Sequence, residues 1–275
     1  MINVNSVNFS YGKHKVLNEI SFEMKKGEYV CILGANGCGK TTLLKTILAF
    51  LKPQQGSVTF YGQNVQNIEE KDLAKKMAYI PQAHTPPFPF KVKDVVLLGR
   101  TPHLNCTCRH KAHDERIVGD AMDRLGIGSL AEKRYTELSG GQRQMVIVAR
   151  ALAQQPEVLI MDEPTASLDF GNQYLVLAQM VSLSREGMSV LMVTHNPDHA
   201  IYCADRIIAM KDGRIISEGA TTSVINEAVM RSIYNMTIKV RDVSIDLKTR
   251  TTICIPVPDV SELPMSAPAA KLTAS

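Results

Sequence analysis

The chain has 275 residues and a formal charge of +4, from 31 Lys and Arg against 27 Asp and Glu. With 45% hydrophobic and 21% charged residues it is equipped to bury a core, which excludes wholesale disorder; its length suits one large domain or a domain with a small lobe. The small positive surplus, 5% aromatics and absence of Trp do not mark a nucleic-acid binder, and no stretch of 18 apolar residues forms a membrane span.

The N-terminal Met-Ile-Asn-Val-Asn has no basic segment followed by an apolar one, so no secretory signal is expected. Residues 2–9 and 16–24 alternate as strands, with Tyr11-Gly12 turning between them. Glu28 to Leu33 is a short apolar run, with Cys31 a small core residue. It meets a glycine-rich loop and then a helix from about Lys40 to Phe50. Strands are predicted at 57–61 and 77–80. The run Thr-Pro-Pro-Phe-Pro-Phe at 85–90 marks a boundary, because its prolines fix φ and remove donors. From Val92 to Gln154 the pattern is mostly helical and predicts an inserted helical lobe, about 85–155. Met145, Val148, Ala149 and Leu152 recur at i, i+3, i+4 and i+7, an amphipathic stripe. Val158–Met161 and Val190–Val193 read as buried strands around a helix from Asn172 to Arg185, which predicts an α/β fold with a mostly parallel sheet. Lys211-Asp212-Gly213 turns a hairpin between 206–210 and 214–217. Residues 257–275 lack periodicity and read as a disordered tail.

Six cysteines are present: Cys31, Cys38, Cys106, Cys108, Cys203 and Cys254. With no secretory signal they are expected as thiols of a cytosolic protein. Cys106 and Cys108 stand among His103, His110 and His113, which raises a metal site. The Cys-x-Cys spacing, and the cations Arg109 and Lys111, favour a structural or surface loop instead.

Three motifs carry chemistry. Gly34-Ala35-Asn36-Gly37-Cys38-Gly39-Lys40-Thr41 fits G-x-x-x-x-G-K-[ST] between a strand and a helix. Its glycines let backbone N–H groups converge on an anion, and the helix adds its positive end. Lys40 is placed to reach the β- and γ-phosphates, and the Thr41 hydroxyl to ligate Mg²⁺. Asp162-Glu163 ends an apolar strand, and two adjacent buried acids need a cation or a proton. Asp162 would hold Mg²⁺ through water, and Glu163 would act as general base on the attacking water. Leu138-Ser139-Gly140-Gly141-Gln142 precedes the amphipathic helix, with Ser139 as N-cap and the glycines freeing a second set of N–H groups.

Together these motifs resemble the ATP-binding-cassette (ABC) ATPases, and the resemblance spans about residues 2–256 as one nucleotide-binding domain. It implies a P-loop NTPase core with an antiparallel β subdomain and an inserted α-helical subdomain. It also implies roles for further residues. Tyr11 matches the aromatic stacked on adenine, Gln82 the loop glutamine that touches Mg²⁺ and relays to a membrane partner, and Asp169 of Ser167-Leu168-Asp169 the loop that crosses a dimer interface. His195 matches the histidine at the γ-phosphate.

The resemblance implies a head-to-tail pair of copies. ATP is then held between Gly34–Thr42 of one and Ser139–Gln142 of the other, closing with ATP and opening on hydrolysis. It implies membrane permease subunits, an extracytoplasmic substrate-binding protein, a location at the cytoplasmic face of the membrane, and no nucleic-acid partner. The run Gly99-Arg100-Thr101-Pro102-His103 resembles importers of iron–siderophore, haem and cobalamin complexes, and also their molybdate and tungstate relatives; by itself it reads as a helix ending at Gly99 with a proline stop. The segment Asn105–His113 departs from the family's usual filler. A cassette acting on DNA or ribosomes is the rival class, but the chain has one cassette, no sustained heptads and no Cys-x-x-Cys.

Overall fold

The computed structural model describes residues 1–82, 89–104, 111–244 and 250–257. Strands β1 (Ile2–Tyr11) and β2 (His14–Met24) form an antiparallel hairpin turning at Gly12, whose φ is +56°. Strand β3 (Tyr29–Gly34) is buried throughout and runs into the loop that opens helix α1 (Lys40–Ile47). That helix stops short of the expected Phe50, because Ala49 takes the left-handed conformation at φ 60°. Strands β4 (Gln55–Phe60) and β5 (Gln63–Asn64) complete a four-stranded antiparallel sheet of order β2-β1-β4-β5.

Helix α2 (Glu70–Lys76) has Glu70 and Asp72 in its first turn and Lys75 and Lys76 in its last, matching its dipole, and leads into β6 (Met77–Ile80). The helical part comprises α3 (Val92–Leu97), a 3₁₀ turn at Leu98–His103, α4 (Ala112–Arg124) and α5 (Gly140–Ala153). The chain then alternates through β7 (Val158–Asp162), α6 (Phe170–Arg185), β8 (Ser189–Thr194), α7 (Pro197–Cys203) and β9 (Arg206–Lys211). Asp212 and Gly213, with φ 46° and 73°, turn the chain back into β10 (Arg214–Ala220). Helices α8 (Thr221–Val224) and α9 (Glu227–Tyr234) and the hairpin of β11 (Thr237–Ser244) with β12 (Arg250–Val257) follow; the sequence pattern gave no expectation for them. Val257, placed in the expected tail, pairs with Thr237 and ends β12; the rest of that tail lies outside the described residues.

The main sheet has the order β10-β9-β3-β8-β7-β6, with all but β10 parallel. Its strands separate two cores by the alternation of a pleated strand. Cys31 and Leu33, Leu159 and Met161, Val190 and Met192 face the helices; Val30 and Ile32, Val158 and Ile160, Leu191 and Val193 face α1 and the antiparallel sheet. Burial of each such side chain stabilises the fold by about 1.5–3 kcal/mol, so the central strands are fixed in register from both faces.

Helix α5 is more enclosed than a stripe. Val146 and Ile147 are as buried as Val148, Ala149 and Leu152, whereas Met145 is half-exposed. The reason is that α3, α4 and α6 all pack on it. The predicted helix end at Gly99 also shifts: α3 stops at Leu97, and Pro102 sits inside the 3₁₀ turn.

Candidate functional site

Parallel strands bring their C-terminal ends to one rim, where open α/β sheets place ligands. Leu33 pairs with Thr194, and Asp162 pairs with Val193. The glycine-rich loop after β3, the acid pair after β7 and His195 after β8 therefore converge, although more than 160 residues separate the first from the last.

Two glycines of the loop are required by contact. A Cβ at Gly34 would lie 2.6 Å from the Met210 carbonyl oxygen. Gly39 caps α1 at φ 103°, and a Cβ there would lie 2.9 Å from the Val16 carbonyl oxygen. Lys40 is buried and folds back over the loop, its Nζ donating to the carbonyls of Gly34 at 2.9 Å and Ala35 at 3.0 Å. Ala35, Asn36, Gly37 and Cys38 line a small pocket with Asp212 and Asn235, and Thr42 belongs to the first turn of α1.

Glu163 lies at the centre. One carboxylate oxygen is 3.5 Å from Lys40 Nζ. The other accepts from Gln82 Nε2 at 3.3 Å and is 3.0 Å from His195 Nδ1. Its backbone is left-handed at φ 47°, a conformation that costs a non-glycine residue about 1–3 kcal/mol and recurs at functional positions. The Glu163 N–H donates to the Val193 carbonyl at 3.1 Å, tying this bend to β8.

Asp162 is 4% exposed. Thr41 Oγ1 donates to its Oδ1 at 3.1 Å and Tyr79 Oη donates to its Oδ2 at 3.3 Å. Burial pushes the Asp162 carboxyl above its ordinary range and the neighbouring Glu163 charge adds to this, while the two hydrogen bonds oppose it. Burial and the adjacent Asp162 push the Tyr79 hydroxyl up to about 12, so it stays a donor at neutral pH. Tyr79 carried no motif; its only signal in the sequence is its place on the strand that leads to Gln82.

Ser139–Gln142 and Asp169 form a second group, and Tyr11 stands by itself among the predicted residues. Ser139 caps α5 in a reciprocal box with Gln142: its Oγ accepts from the Gln142 N–H at 3.2 Å, and Gln142 Oε1 accepts from the Ser139 N–H at 3.1 Å. A Cβ at Gly140 would meet Leu168 at 3.4 Å, and one at Gly141 would collide with Asn172. Asp169 caps α6, accepting from the Asn172 N–H at 2.9 Å. This turn thus packs on the 167–172 segment. Tyr11 is 51% exposed at the end of β1, edge-on to Phe9 at 4.9 Å.

The Gly-Arg-x-Pro-His run is a clasp. Buried Arg100 donates to Asp114 Oδ1 at 2.9 Å, to the Ala153 carbonyl at 2.8 Å and to Gln155 Oε1 at 3.0 Å. His103 Nε2 lies 2.8 Å from the Gln154 carbonyl. Cys106, Cys108 and His110 lie outside the described residues, and among the described residues no cluster of three or more His, Cys, Asp or Glu could hold a metal. Cys31, Cys38, Cys203 and Cys254 are free thiols.

A family model described as ABC transporter matches residues 17–166. The iron(3+)-hydroxamate import ATP-binding protein of Bacillus subtilis is 32% identical, over 92% of this chain and 94% of its own length. The molybdate import ATP-binding protein of Haemophilus influenzae is 31% identical, over 86% and 88%. Among solved structures, a metal-chelate type ABC transporter in an inward-facing conformation matches with a TM-score of 0.84 and 29% identity, over 94% of this chain and 97% of that one.

Proposed function

The chain belongs to the ABC transporter family as an ATP-binding, ATP-hydrolysing protein, and on that premise we propose that it powers uptake of a metal chelate through a separate permease. The observation that carries the catalytic part is Glu163, held at one rim between Lys40, Gln82 and His195. In this reading the N–H groups of residues 34–42 and the Lys40 ammonium grip the β- and γ-phosphates. Lys40 Nζ exchanges its bonds to the Gly34 and Ala35 carbonyls for phosphate oxygens. Glu163 takes a proton from water as its oxygen attacks the γ-phosphorus, and the bond to the β-phosphate oxygen breaks, leaving ADP. His195 steadies the γ-phosphate, and Tyr11 packs against adenine.

The donors around the Asp162-Glu163 pair suit Mg²⁺: the buried Asp162 carboxylate, the Thr41 hydroxyl bonded to it and the amide oxygen of Gln82, whose side chain reaches Glu163, are hard oxygen ligands. Mg²⁺ bound there would neutralise charge on the phosphate oxygens. Ser139–Gln142 packs on the 167–172 segment, with no hydrogen bond or ion pair to the 34–42 loop among the described residues, which supports a head-to-tail second copy supplying it to the nucleotide. A groove of about 610 Å³ between α2 and the Leu98–His103 turn supports docking of a permease segment. No described helix is long and apolar enough to cross a membrane; the import ATP-binding relative supports a peripheral place on its cytoplasmic face.

The cargo reading rests on the hydroxamate relative and the metal-chelate structure, with iron–siderophore, haem or cobalamin complexes as the class; the molybdate relative supplies the competing arm. The test has two parts. Glu163→Gln is expected to keep ATP binding while turnover falls about 10²–10⁴-fold, the worth of a general base. Near-normal hydrolysis in that variant would remove Glu163 from the mechanism. In vesicles containing the co-purified permease and its binding protein, ferric siderophore is expected to stimulate ATPase activity, and stimulation by molybdate alone would reassign the cargo.

A further inference from the structure

Tyr79 belongs to two places at once. Its ring lines the groove with Phe50, Leu73, Leu98 and Pro102, and its hydroxyl reaches the rim of the sheet. On β6, Ala78 and Ile80 face the helical core, while Met77 and Tyr79 face the other side, so the strand pleat sets this direction. Phe50 stands edge-on to the Tyr79 ring at 6.2 Å and is 59% exposed. Asp162 is thus held by two hands: Thr41, from the phosphate loop, on Oδ1, and Tyr79, from the groove wall, on Oδ2. A carboxylate rotates easily about its last torsion, so a fixed donor on each oxygen is what defines its plane.

We propose that Tyr79 is a positioning residue that transmits the state of the groove to the Asp162 carboxylate. The permease segment docked in the groove restrains the Phe50–Tyr79 pair, and the Tyr79 hydroxyl then fixes the plane in which Asp162 presents its oxygens to the Mg²⁺–nucleotide complex. The groove thereby communicates with the nucleotide inside one chain, by a route separate from the Gln82 loop. This rests on the cassette reading above.

The test uses the full chain and a fluorescent ATP analogue, with binding followed by anisotropy across a Mg²⁺ titration. Tyr79→Phe keeps the ring and removes the hydroxyl; the half-saturating Mg²⁺ concentration is expected to rise about fivefold, the scale of one net hydrogen bond. Phe50 is exposed, so Phe50→Ala leaves the core intact; it is expected to shift the Mg²⁺ requirement when Tyr79 is present and to have no effect in the Tyr79→Phe background. An unchanged Mg²⁺ requirement in Tyr79→Phe overturns the proposal. So do equal Phe50→Ala shifts in both backgrounds, which would make the hydroxyl a local brace. A wild-type chain that binds no analogue at any Mg²⁺ concentration overturns the cassette reading, and this proposal with it.

Discussion

Asp162 illustrates the tension between stability and function at the scale of one residue. Its carboxylate is buried beside Glu163, and the folded chain holds its pKa above the ordinary value. The folded state therefore binds a proton more readily than the unfolded state. The resulting cost is absent at pH below the ordinary carboxylate pKa, grows as pH rises through the raised one, and is fully present at neutral pH. Asp162→Asn keeps an acceptor for Thr41 and removes the charge. It is expected to raise the melting temperature of the nucleotide-free chain at pH 7 by about 2 °C, with the gain shrinking as the solution is acidified. Differential scanning fluorimetry across pH checks this, and a lowered melting temperature at pH 7 would contradict it. The same substitution is expected to weaken Mg²⁺-dependent nucleotide binding.

At the scale of elements, Arg100 ties three pieces together. Its guanidinium joins the Leu98–His103 turn to the last turn of α5 and to Asp114 in the first turn of α4. Asp114 also accepts from the Lys111 N–H, so it caps α4 while pairing with Arg100. Gly99 sits so close to the Arg150 carbonyl that any Cβ would collide with it, which holds the turn against α5. Removing one member of a buried ion pair strands the other. Arg100→Met is therefore expected to destabilise the chain by about 3 kcal/mol, and adding Asp114→Asn, which keeps the cap, is expected to recover part of that loss. Urea unfolding of the single and double variants measures both values; an additive double variant would show that the pair contributes little.

At the scale of the whole molecule, the predicted residues fall into two groups on one chain, Lys40 with Glu163 and Ser139 with Asp169. In the proposed head-to-tail pair each group would complete the other's site. On that proposal Lys40→Ala loses the phosphate grip and Ser139→Arg blocks the turn offered to a neighbour, so each is expected to be inactive alone. Mixing the two allows one intact composite site per mixed pair, and ATPase activity is expected to return. Silence of the mixture, with both variants folded, would count against the pairing. This experiment is independent of the cargo and of any permease.

The phosphate loop, the Asp162-Glu163 pair, the Ser139 turn and the alternation of strands and helices are legible in the sequence, because each is a local pattern. A glycine spacing, an apolar run ending in acids or an N-cap needs only neighbouring residues to state its physics. The capping of α5 by Ser139 and the hairpin at Asp212-Gly213 follow from such patterns. Others depend on which strand lies beside which. The meeting of Glu163 with Lys40, Gln82 and His195, the Tyr79 hydroxyl on Asp162 and the enclosure of α5 all arise from the order β3-β8-β7-β6 and its register. The helices and hairpin after Ala220 escaped the sequence reading, their pattern being short and half-exposed. Sequence alone determined which groups are expected to meet phosphate; only tertiary structure decided which of them touch, because long-range register is set by the packing of both faces of the sheet at once.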